Sequence, residues 1–151
     1  MTSARPYANL PDPDRQSGFY AGVPVKRFFA FLIDLVIILA LSIGVALLSF
    51  GIFFFLFILV FTCVGFIYRV LTLSSGSATL GMRLMGIELR SYDGGRFSFA
   101  DAFLHTLAFY ISFGMFPLQA ISIVLMFTTP RGQGLTDFLF GTVALNKAAG
   151  G

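Results

Sequence analysis

Four charged side chains stand where an apolar chain can least accommodate them: Arg27, Asp34, Arg69 and Asp137. Arg27 and Asp34 bracket the run Lys26-Arg27-Phe28-Phe29-Ala30-Phe31-Leu32-Ile33-Asp34. Their spacing places them two helical turns apart on nearly one face, about 10 Å along the axis. A charged side chain at the middle of a bilayer costs about 2.5–3.5 kcal/mol or more. Asp34 must therefore pair, take up a proton or reach water. If the chain folds back about residues 50–51, position 34 lies level with about 67. Arg69 is then roughly 3 Å further along the second helix. This geometry predicts an Asp34–Arg69 contact with Tyr68 beside it. Arg27 either anchors the helix at the interface or binds Asp137 from the returning C-terminal segment. Two chemistries follow. Asp34 and Asp137 exchange protons or hold a cation, with Arg27 or Arg69 tuning them, or the four charges form a structural cluster that locks three segments together. His105 follows Asp101 by four residues, which puts both on one helix face and allows a proton relay. The plainer role for a lone histidine is a single hydrogen bond.

These residues need elements to position them. Phe28–Leu48 is long and apolar enough to span a hydrocarbon core of about 30 Å. Ser49-Phe50-Gly51 breaks it, and Ile52 to about Leu73 forms a second span, antiparallel to the first. Ser74-Ser75-Gly76-Ser77 ends that helix. Leu80, Leu84 and Ile87 then suit one face of a short amphipathic helix. Met85–Arg90 reads as a strand running into the turn at Asp93-Gly94. Phe99–Thr128 is apolar again, interrupted by Gly114 and Pro117. It is either one tilted span or two short helices folded at that break. The folded form is preferred. It brings all basic residues to one side and lets 142–145 pair with 87–90, satisfying backbone groups on both runs. The fold class is thus an all-α polytopic membrane protein: a helical hairpin, a third hydrophobic region and a small cytoplasmic β element. Residues 1–24, with four of the six prolines, form an unstructured polar tail; 25–147 form the membrane domain and 148–151 a short C-terminal tail.

Composition agrees. The chain has 151 residues, 57% hydrophobic and 11% charged, with 20 phenylalanines and no tryptophan, and its mean hydropathy is +0.89. Soluble domains carry about 25% charged residues, so an ordinary soluble globule is excluded. One cysteine, Cys63, excludes an internal disulfide or a CxxC site. The net charge of +3 suits the anionic surface of a membrane better than nucleic acid. Lys26, Arg27, Arg69, Arg83, Arg90 and Arg96 all lie outside the first hairpin turn, which places the N-terminus and central loop in the cytoplasm. Arg83, Arg90 and Arg96 are positioned to meet anionic lipid headgroups. No GxSxG, HExxH or phosphate-binding glycine loop occurs, so neither an enzyme nor a metal or other cofactor is expected.

The contexts Arg27…Asp34 and Gly134-Leu135-Thr136-Asp137-Phe138 resemble those of the RDD family, small and mostly bacterial membrane proteins named for one arginine and two aspartates. Ala78-Thr79-Leu80-Gly81-Met82-Arg83 is similar to the family's Thr-Pro-Gly-Lys-Arg segment, with Leu80 and Met82 replacing the proline and lysine. Thr136 replaces a common histidine. The resemblance implies a bacterial plasma-membrane protein, and for some members cation/proton exchange. The leading expectation is a transporter component. Three hydrophobic regions are few to enclose a pathway, so a homo-oligomer is expected. The alternative is a scaffold or accessory subunit that binds lipid or a partner membrane protein.

Overall fold

A computed structural model describes residues 9–91 and 93–147. Helix α1, Val23–Leu48, has Pro24 in its first turn, where the missing N–H costs nothing. Its buried positions Ala30, Asp34, Ile38, Ser42 and Ala46 recur every fourth residue and form one stripe. Leu32, Val36 and Leu39 on the other faces are exposed. A helix that is apolar on its outer faces as well as its inner one suits a lipid surround. Helix α2, Phe57–Gly76, packs antiparallel to α1. It begins five residues later than the sequence suggests. Phe50 and Gly51 adopt left-handed backbone, and the Ser49 hydroxyl accepts from the Phe53 N–H, so the connection closes as a longer turn. Both helices are long and apolar enough to cross a membrane.

Ser77, with φ +56°, ends α2. The short helix α3, Leu80–Leu84, follows. The expected inward face of Leu80, Leu84 and Ile87 is not formed. Leu80 and Leu84 are exposed while Ile87 is fully buried in strand β1, Ile87–Arg90. The residue that α3 buries is Gly81. The third apolar region divides as preferred, into α4, Phe99–Gly114, and α5, Phe116–Thr128, bent by 115°. Proline within a continuous helix would remove a hydrogen bond and clash with the preceding turn, so the helix stops at Met115 and restarts with Pro117 in its first turn. The chain returns through α6, Leu135–Phe140, to β2, Val143–Asn146. β2 pairs antiparallel with β1, with Ile87 opposite Asn146 and Arg90 opposite Val143. The predicted pairing is therefore present, one residue further along the C-terminal run.

Ile87, Leu89 and Ala144 from the sheet join Val23, Ala30, Val70, Leu73 and Ala102 in one core under the ends of α1, α2 and α4. The N-terminal segment differs from the expected free tail. Residues 1–8 lie outside the described residues, as do 148–151. Leu10 and Tyr20, however, pack on Val143 and Leu145. Asn146 Nδ2 donates to the carbonyls of Gly18 (2.9 Å) and Ala21 (2.7 Å). The physical reason is that β2 would otherwise bare an apolar face.

Candidate functional site: two buried aspartates

Asp34 is 1% exposed and faces neither lipid nor Arg69. Its Oδ1 accepts from the Tyr68 hydroxyl (2.7 Å) and the Gly81 N–H (2.9 Å), and its Oδ2 from the Thr79 hydroxyl (2.6 Å). The same groups complete the start of α3. Tyr68 accepts from the Leu80 N–H and Thr79 from the Met82 N–H. The otherwise unsatisfied amides of a helix N-terminus are thus met by a carboxylate from α1 and a phenol from α2. Gly81 makes the approach possible: a Cβ there would lie 2.2 Å from the Ala30 carbonyl oxygen.

The predicted Asp34–Arg69 pair is therefore corrected. Successive helix residues point about 100° apart. With Tyr68 turned to α1, Arg69 turns to α4. Its guanidinium carbon lies 4.5 Å from the Phe109 ring centroid and 5.9 Å from that of Phe31. The four charges form two sites and one separate cation, not one cluster.

Asp137 makes the second site. It is fully buried, and its Oδ2 accepts from Arg27 (2.5 Å) and from the Gly134 N–H (3.1 Å). Oδ1 accepts from the Thr142 hydroxyl (2.8 Å) and lies 3.1 Å from His105 Nε2. Both oxygens thus carry two partners, the normal capacity of a carboxylate. Burial alone would push this carboxyl up. The Arg27 guanidinium and His105 outweigh it and hold the group well below the usual carboxylate range. The Arg27–Asp137 option is the one realised, and it ties α1, α4, α6 and the start of β2 together.

The Asp101–His105 relay is not formed. Asp101 accepts from the Ser98 N–H while the Ser98 hydroxyl accepts from the Asp101 N–H, a reciprocal cap on α4. His105 points instead to Asp137. Of the three basic residues expected at headgroups, Arg83 and Arg96 are exposed. Arg90 is drawn onto Glu88, two residues away on the same strand face. Thr79, Gly81 and Thr142 were not singled out as partners from spacing. The similarity of the central segment was the signal for Thr79 and Gly81; Thr142 had none.

No curated protein and no solved structure matches the chain. The sequence profile described as "RDD family" matches residues 21–141, which contain Arg27, Asp34, the Thr79–Arg83 segment and Asp137. With that match over most of its length, the chain belongs to the RDD family.

Proposed function

We propose that this chain is a polytopic integral membrane protein that works as a scaffold or accessory subunit, with Asp34 and Asp137 as clamps between its segments. In this reading α1 and α2 cross the plasma membrane of a bacterium, and the bent pair α4–α5 enters and returns. Supporting this topology, Lys147 N–H donates to the Gly86 carbonyl and Asn146 holds residues 18 and 21. The N-terminal segment, central loop and C-terminal strand then share one side. The distribution of basic residues supports a cytoplasmic location for that side. The observation that carries the clamp role is that each buried carboxylate takes its donors from the very segments it joins. A carboxylate that released those donors to move an ion would unfasten α3 or α6.

A second reading, transport of a proton or small cation through a homo-oligomer, draws on one feature: Asp34 has hydroxyl and amide donors but, among the described residues, no cationic partner. Proteoliposomes with an internal pH dye and an imposed sodium or potassium gradient separate the two. The clamp reading expects wild-type flux equal to empty vesicles, and an Asp34→Asn variant recovered in lower folded yield. Wild-type flux that disappears in a well-folded Asp34→Asn protein would overturn it in favour of transport.

A further inference from the structure

Of the four charged residues in apolar surroundings, Arg69 is the one that neither clamp uses. It is 7% exposed, lies within the long apolar helix α2, and sits about 10 Å along the axis from that helix's polar end. Among the described residues no carboxylate pairs with it, and its Nε has no hydrogen-bond partner. Phe109 and Phe31 flank the guanidinium, and the Tyr110 hydroxyl comes up beside it. Tyr110 reaches there because Gly65, one turn before Arg69, has no side chain; a Cβ would lie 2.3 Å from the hydroxyl oxygen. Thr106 stands on the same α4 face, three residues before Phe109, and its buried hydroxyl is likewise unpartnered.

A buried guanidinium calls for an oxyanion. A second copy of the chain has none to offer at this height. Of the seven acidic residues, Asp34 and Asp137 are buried in their own sites, Asp101 caps α4 and Glu88 holds Arg90. Asp12, Asp14 and Asp93 stand in the polar segments. A partner helix would have to seat its backbone against the aromatic rings that cover Arg69, at the 8–10 Å axis separation typical of packed helices. A thin, flexible molecule faces no such barrier. Phe113, stacked on Phe109 and half exposed, continues the aromatic strip outward as a path for a chain.

We propose that Arg69, with Tyr110 and Thr106, binds the anionic head of a single amphiphile, a phosphate or carboxylate whose hydrocarbon tail lies along Phe109 and Phe113. This site is separate from the Asp34 and Asp137 clamps and does not depend on whether the protein transports. It also differs from headgroup contact at Arg83, Arg90 and Arg96, which lie beyond α2 in α3, in β1 and in the loop before α4.

The test uses full-length protein in phosphatidylcholine vesicles containing a photoactivatable phosphatidic acid or a photoactivatable fatty acid. The expected result is labelling of the α4 peptide containing Phe109 and Phe113. Labelling falls about tenfold in Arg69→Gln, the size expected for loss of one charge-assisted paired contact. It persists in an Arg83→Gln/Arg96→Gln double variant. Equal labelling by photoactivatable phosphatidylcholine would overturn the proposal. So would displacement by inorganic phosphate alone, unchanged labelling in Arg69→Gln, or cross-linking of this peptide to another protein in native membranes in place of lipid. If Arg69→Gln does not fold, the comparison of anionic with zwitterionic probe on the wild-type protein still decides.

Discussion

Replacing Gly81 by alanine tests the Asp34 clamp with a single methyl group. The added Cβ would sit 2.2 Å from the Ala30 carbonyl oxygen and 2.8 Å from Asp34 Oδ1. Side-chain carbons essentially never approach other atoms within 3.0 Å. The nearer contact is backbone, on α1, so no rotamer change can relieve it. Helix α3 must retreat by about 0.8 Å or more. The Gly81 N–H to Oδ1 bond, now 2.9 Å, and the Thr79 hydroxyl to Oδ2 bond, now 2.6 Å, then lengthen beyond ordinary hydrogen-bonding range. Hydrogen bonds to a charged group contribute about 1.5–3 kcal/mol each, and overpacking costs about 1–3 kcal/mol. Partial relaxation recovers some of this, which leaves an expected loss of about 3 kcal/mol. The assay is reversible unfolding in mixed micelles with increasing SDS, followed by far-ultraviolet circular dichroism. Gly44→Ala is the matched control. Nothing lies within 4 Å of a Cβ there, and alanine in a helix interior is favoured over glycine by about 0.5–1 kcal/mol. The two glycine-to-alanine changes should therefore have opposite signs. A Gly81→Ala protein within about 0.5 kcal/mol of wild type, the usual effect of a neutral surface change, would refute the account of how α3 is held.

Two further outcomes follow from the second site, and a third from the seam between β2 and the N-terminal segment. Arg27→Ala leaves the fully buried Asp137 without its cation and should cost about 3–5 kcal/mol in the same unfolding assay; a cost under about 1 kcal/mol, the scale of an exposed pair, would show the bridge to be incidental. The folded Asp137 carboxyl lies below its unfolded value of about 3.9, so its contribution is present above that pH and is lost as pH falls through the depressed folded value. An acid titration of helicity should accordingly show wild type losing stability only in strong acid, while Asp137→Asn is weaker at neutral pH and lacks that acid-dependent loss; identical curves would contradict the assignment. Asn146→Ala removes both donors to the carbonyls of Gly18 and Ala21 and the acceptor for Lys26 Nζ, so limited proteolysis should cut within residues 9–22 markedly faster than in wild type, whereas equal rates would mean that Tyr20 and Leu10 suffice.

What residue order by itself determined here is what depends on local composition and period. Long apolar runs set α1 and α2, because a stretch of about 20 apolar residues finds few stable homes outside a membrane or a large core. Pro117 set the break between α4 and α5, because its ring cannot sit inside a continuous helix. Asp-Gly and the strand-like runs set the two short strands. The partners of the charges were only half legible. Arg27 and Asp137 lie far apart in sequence, and spacing alone leaves Arg27 two roles, at the interface or on Asp137. Asp34 and Arg69 were matched by axial height alone, and height does not report direction around the helix. One residue is about 100° of rotation, enough to give Asp34 to Tyr68 and turn Arg69 to Phe109. His105 followed the same logic: a neighbour at four residues was available, but Asp101 was taken by the α4 cap and the histidine met Asp137 instead. Tertiary structure decided these pairings because a buried carboxylate is satisfied by whichever donors packing delivers. Here packing delivered the start of α3 to one aspartate and the returning C-terminal segment to the other.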